Sequence, residues 1–271
     1  MPELPEVQII VNILKSKLIG AKIIKTKVFY APVIKNFEAF SQIEEKTILD
    51  IQRKGKFLLF FLTQKLVIIG HLRLEGKLFL KPASNPHEAT EHFVLFFDND
   101  LSLRYYDFRK FGRFEVQNQK DFLTKTTLNQ LASDPFEIDF MTFYQKVVKS
   151  KTALKKVLLN QKIISGLGNI YVNEVLFLAK LHPETKACDL NPSQVQNILE
   201  IAKKVLKKAI FFGGSSISTF EPEEGTKGSF QNHLLVHGKQ KIPCTVCMTN
   251  IIKIKVGGRG TYLCPSCQPI K

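Results

Sequence analysis

Two cysteine pairs near the C-terminus constrain this fold more than any other feature. Cys244 and Cys247 are two residues apart, sixteen residues follow, and Cys264 and Cys267 repeat the spacing. Each pair reaches one metal ion from a tight turn, and two pairs complete a tetrahedron of thiolates. A closed four-sulfur site has no open coordination position, so one Zn2+ there is structural. Metal binding supplies the folding free energy that so small a module lacks in core. An iron–sulfur cluster is the alternative use of the four thiolates. Cys188 stands alone as an ordinary thiol. The start of the chain has no basic region, and the longest apolar run, Phe57 to Leu62, is far below a membrane span. The expectation is a cytoplasmic protein with reduced thiols, no membrane partner and no nucleotide cofactor.

The charge points to a polyanion. The formal net charge of the 271-residue chain is +15. Between Phe140 and Asn173 there are six lysines and no acid, and from Gly225 to Lys271 six lysines, Arg259 and again no acid. A solvated face alternates signs, whereas single-sign stretches repel themselves until a polyanion relieves them.

Periodicity gives the order of elements. Residues 5–20 carry Val7, Ile10, Val11, Leu14 and Leu18 at helical spacing, with Gly20 as a stop. Eight short β-branched and aromatic runs follow: 23–30, 47–53, 56–62, 65–72, 77–81, 92–98, 101–107 and 113–117. Their regular spacing predicts a β-sandwich or barrel. Helices are expected at 139–149, 152–161, 170–180 and 193–212, then a mobile loop from Gly213 to Gly228, then short strands around the cysteines. The fold class is α+β.

The first residues carry a reagent. If Met1 is removed, Pro2 presents a secondary amine, and amines attack carbonyl-like carbons to form Schiff bases, with Glu3 beside it as acid or base. Pro2-Glu3-Leu4-Pro5-Glu6-Val7, Asp107-Phe108-Arg109-Lys110-Phe111-Gly112, Gly166-Leu167-Gly168-Asn169 and the four-cysteine finger occur together in this order. The chain resembles bacterial formamidopyrimidine-DNA glycosylases over essentially its whole length.

The resemblance implies residues 1–120 as a catalytic helix and β-sandwich domain, 132–225 as a helix–two-turn–helix DNA-binding domain and 229–271 as a zinc finger. It implies Pro2 as nucleophile, Glu3 as general acid/base, Glu6 as a supporting acid, Lys56 as proton donor in β-elimination and Arg259 as a phosphate grip acting in δ-elimination. Arg109, Phe111 and Leu74 would fill the space left by a flipped lesion, Leu74 standing where the family uses methionine. Asn169 would contact phosphate, His71 would contact phosphate or simply pack, and Lys151, next to Ser150, would stand in as a DNA contact. Thr90 and Ser150 replace a histidine and a lysine that the family often carries, and His92 lies nearby as a compensating group. The loop 213–228 would cover a flipped base. The implied partner is damaged double-stranded DNA, bound by a monomer. An oxidised-pyrimidine glycosylase of the endonuclease VIII type and a non-catalytic zinc-ribbon binder are the competing readings.

Overall fold

The computed structural model describes residues 1–216 and 225–270. The chain divides into two compact units, Met1–Asn129 with Phe212–Ser229, and Gln130–Phe211 with Phe230–Lys271. Segment 212–229 thus returns to the first unit although it follows the last long helix. The middle of the expected mobile loop, 217–224, lies outside the described residues.

In the first unit, α1 (Leu4–Leu18) buries Val7, Ile10, Val11, Leu14 and Leu18. It packs on β2 (Ile48–Lys54) and β3 (Phe57–Leu62). All eight predicted strands form. One antiparallel sheet runs β2-β3-β4-β8, with β4 at Leu66–His71 and β8 at Arg113–Asn118. The other runs β1-β6-β7-β5, with β1 at Ile23–Val28, β5 at Lys77–Pro82, β6 at Glu91–Phe97 and β7 at Leu101–Tyr106. Ile51, Phe60, Ile68 and Val116 of one sheet share a buried cluster with Ile23, Phe93, Leu95 and Leu103 of the other, so the sheets form the expected sandwich. A five-residue helix, α2 (Phe37–Ser41), was not predicted. It is too short for an apolar repeat to register.

Inside this unit sits a buried charge that alternation did not foretell. Arg104 is buried, and its guanidinium donates to Ser102 Oγ at 2.9 Å, Asn85 O at 2.6 Å, Pro86 O at 2.9 Å and Glu91 Oε1 at 2.8 Å. Burial pushes the Glu91 carboxyl upward, but bonds from Arg104, His87 and Tyr106 outweigh it and hold the pKa below its ordinary value. The pair anchors the 83–90 connection.

The second unit carries α3 (Phe140–Val148), α4 (Leu154–Leu159), α5 (Asn169–Leu178) and α6 (Pro192–Phe211). Asp139 caps α3 by accepting from Thr142 N at 2.8 Å. The hairpin β9 (Ile252–Val256) and β10 (Arg259–Leu263) follows, with β10 against α5. No helix among the described residues is long and apolar enough to cross a membrane.

Arg104→Leu leaves the buried Glu91 carboxylate without its cation. We expect urea unfolding to show a loss of about 3–5 kcal/mol, with part of it recovered in Arg104→Leu/Glu91→Leu. A loss of less than about 1 kcal/mol would show that the pair does not hold the loop.

Candidate active site

Pro2, Glu3 and Glu6 are all buried at the head of α1. Glu6 uses both carboxylate oxygens: Oε2 accepts from Glu3 N at 2.9 Å, and Oε1 accepts from Ser215 N at 2.9 Å. One side chain therefore fixes the backbone of Glu3 and the segment after α6. The amino group of Met1 is held below 8.0 mainly by burial, and the nearby charge of Lys56 adds to this. Glu3, Glu6 and Glu75 oppose the shift without cancelling it. The start of the chain, two acids and Lys56 thus lie within electrostatic reach of one another.

Lys56 is placed by a tight hairpin. The register pairs Lys54 with Phe57, so Gly55 and Lys56 form the turn between β2 and β3, and Gly55 takes φ 58°. Arg53 donates to Gly55 O at 3.0 Å and to Gln8 Oε1 of α1 at 3.0 Å. This ties the turn to the catalytic-candidate helix. His71 is neutral: burial first, then the charges of Arg73 and Lys56, lower its pKa to about 3. Its Nδ1 accepts from Arg73 N at 2.9 Å, so Nε2 carries the proton.

The Arg109–Phe111 turn is organised by a residue to which the sequence assigned no role. Buried Asp107 accepts from Tyr105 Oη at 2.9 Å, Arg109 N at 3.1 Å and Gly112 N at 2.7 Å. Its carbonyl accepts from His92 Nε2 at 2.6 Å and from Lys110 N at 3.0 Å. The Arg109 guanidinium lies 5.0 Å from the Phe111 ring centre and 3.9 Å from Glu75 Oε1. Phe111 is 46% exposed, while Leu74 is half-buried. An aspartate five residues before a glycine was the available signal for this turn.

The second unit gathers its own candidates. Asn169 donates from Nδ2 to Gly260 O at 3.0 Å, beside Arg259. Gly257 and Gly258, both at positive φ, make the two-residue turn that presents exposed Arg259. Lys155 is fully buried and donates to Asn173 Oδ1 at 2.8 Å, Gly260 O at 3.1 Å and Thr261 Oγ1 at 2.8 Å. It is one of the six lysines read as facing a polyanion, and it is an internal strut instead. Burial and then the Lys155 charge lower the His237 pKa to about 4, and His237 Nδ1 pairs with Asn173 Nδ2 at 2.8 Å. Lys151 and Thr90 are exposed, and Ser150 Oγ pairs with Thr152 Oγ1 at 2.9 Å.

The four cysteines of the finger meet. Their Sγ atoms all lie within 4.8 Å of one another, with 3.9 Å between Cys244 and Cys267, 3.4 Å between Cys247 and Cys264, and 3.5 Å between Cys247 and Cys267. A tetrahedral ion with Zn–S bonds of about 2.3 Å sets sulfurs about 3.8 Å apart. A disulfide needs about 2.05 Å. The donor set fits one zinc.

Three family models cover this geometry. The formamidopyrimidine-DNA glycosylase N-terminal domain matches residues 1–114, the formamidopyrimidine-DNA glycosylase H2TH domain 131–221, and the zinc finger found in FPG and IleRS 241–270. The chain is 41% identical over 273 residues to the formamidopyrimidine-DNA glycosylase of Mycoplasma mobile, covering 100% of both. It is 41% identical to that of Oceanobacillus iheyensis, covering 100% of this chain and 99% of the relative. The chain belongs to the formamidopyrimidine-DNA glycosylase family. Among solved structures, Lactococcus lactis Fpg in complex with abasic-site DNA matches with a TM-score of 0.93 at 39% identity, covering 99% of this chain and 100% of that one.

Cys244, Cys247, Cys264 and Cys267 could hold one zinc ion, with all four positions of a tetrahedral site taken by thiolates. We expect elemental analysis to find one zinc per chain, and Cys247→Ser/Cys264→Ser to lose both the ion and the protease resistance of the 240–270 segment. Iron in place of zinc, or full metal content in the double variant, would contradict the assignment.

Proposed function

We propose that the protein is a base-excision DNA glycosylase and lyase that removes oxidised purines, 8-oxoguanine and formamidopyrimidines, from duplex DNA. The observation that carries this reading is buried Pro2 at the head of α1, with buried Glu3 next to it and Lys56 within electrostatic reach of the chain start, in a chain of this family. While Met1 is attached, the Pro2 nitrogen is an amide and cannot attack. Once Met1 is removed, it is a secondary amine on a residue that the fold buries, and burial favours the neutral, nucleophilic form.

The chemistry follows from that amine. Its lone pair attacks C1′ of the flipped nucleotide and the C1′–N bond breaks, the base leaving with a proton; the amine then sheds its own proton, and the C1′–O4′ bond opens with Glu3 protonating O4′. The resulting iminium acidifies C2′–H. Loss of that proton expels the 3′ phosphate, for which Lys56 is the assigned donor, and a second elimination across C4′ and C5′ expels the 5′ phosphate with Arg259 gripping the backbone. Arg109, Phe111 and Leu74 fill the vacated stack. Asn169, His71 and Lys151 serve the phosphates. In this reading the protein is a monomer working on bacterial DNA in the cytoplasm.

A second reading, the oxidised-pyrimidine specificity, has one observation in its favour. A solved complex of the similar Lactococcus lactis enzyme holds DNA containing an oxidised pyrimidine. Duplexes carrying 8-oxoguanine or thymine glycol separate the two, and a strong preference for thymine glycol would overturn the purine assignment.

Borohydride reduction on abasic DNA is expected to trap a covalent adduct, to be lost when Met1 is retained and to fall in Pro2→Gly. Absence of any adduct from processed protein would leave a non-catalytic zinc-ribbon binder. Arg259→Ala should make the salt dependence of duplex binding shallower by about one unit of slope. An unchanged slope would remove Arg259 from the phosphates.

A further inference from the structure

The turn that carries Arg109 and Phe111 holds a third side chain that no step above uses. Phe108 is 84% exposed, more than any other large apolar side chain among the described residues. A phenyl ring left in water forgoes its hydrophobic stabilisation, so its placement needs a cause. The placement is enforced. The Asp107 carboxylate accepts from Arg109 N and Gly112 N on one side, and Arg113 Nη1 donates to Lys110 O at 2.9 Å and Gly112 O at 2.7 Å on the other. A Cβ on Gly112 would stand 1.7 Å from Tyr105 Oη, so only glycine fits where the turn closes on that ring. Lys110 is held at φ 58°, its ammonium 4.7 Å from the centre of the Tyr30 ring. The ring of Phe108 therefore projects from a braced turn.

Its surroundings say what covers it. Arg109, Lys110 and Arg113 lie within five positions of Phe108, and Phe111 is a second exposed ring in the same turn. Aromatic rings interleaved with cations match nucleic acid, in which bases offer π-faces and phosphates offer charge. We propose that Phe108 is a second aromatic DNA contact, packing against a base adjoining the one left unpaired by the flipped lesion. This inference rests on the glycosylase reading above.

The test uses the full-length, zinc-loaded protein and a duplex with an abasic analogue, with 2-aminopurine beside the unpaired base on the opposite strand. Phe108→Ala is expected to bind about tenfold more weakly, the scale of one aromatic–base stack. It should also lose the 2-aminopurine fluorescence change, with an unaltered melting temperature, and Phe108→Trp should restore both. Affinity within about twofold of wild type with the fluorescence change intact would overturn the proposal. So would concentration-dependent self-association that Phe108→Ala abolishes while DNA affinity stays unchanged. Wild-type protein with no preference for the abasic duplex would overturn the glycosylase reading as well, which separates the two failures.

Discussion

The two-handed hydrogen bonding of Glu6 is the interaction on which the rest of the first unit's chemistry depends. A buried carboxylate is costly unless its lone pairs are satisfied. Here each oxygen takes a backbone N–H, one from Glu3 and one from Ser215. Bonds to a charged acceptor contribute about 1.5–3 kcal/mol each. The same side chain caps α1, fixes the residue next to the nucleophile candidate and sets where the 212–216 segment begins. The stem there is close-packed: a Cβ on Gly228 would fall 2.2 Å from Gly213 O. Chain start and loop stem are thus set by one group.

The same device recurs at three other places where a candidate residue is presented. Asp107 holds the turn of Arg109 and Phe111, Arg53 holds the turn of Lys56, and Lys155 with Asn169 holds the strand of Arg259. In each case a polar side chain satisfies backbone groups of the turn, or of the strand leaving it, that carries the candidate residue. A turn braced this way loses little conformational freedom when a ligand arrives, which lowers the cost of binding.

The sequence revealed the elements well and the struts poorly. The eight strands were legible because β-branched and aromatic runs alternate with turn residues, and the finger because thiolate spacing has few other uses. The turn Asp107–Gly112 was legible through motif order, which also brought Pro2 and Glu3 forward as candidates. Lys155 was misjudged, because charge in a sequence does not disclose burial and an acid-free stretch reads the same for a strut and a surface. Arg104 was overlooked for the same reason: its partners Glu91, Asn85 and Pro86 reach it only through the sheet. Asp107 was quoted without a role, since its work is on backbone amides that no side-chain pattern displays. Phe108 was quoted in the same motif without a role, and only its exposure sets it apart.

The proposed glycosylase chemistry requires that the Pro2 amine, once Met1 is removed, be held neutral by the folded head of α1, where Pro2 is buried. The most direct measurement is an NMR titration of protein labelled with 15N-proline and freed of Met1, in the folded state and in urea. The Pro2 nitrogen is expected to titrate at lower pH in the folded protein, because burial disfavours the ammonium. Equal midpoints in the two states, or a higher one in the folded protein, would contradict the account.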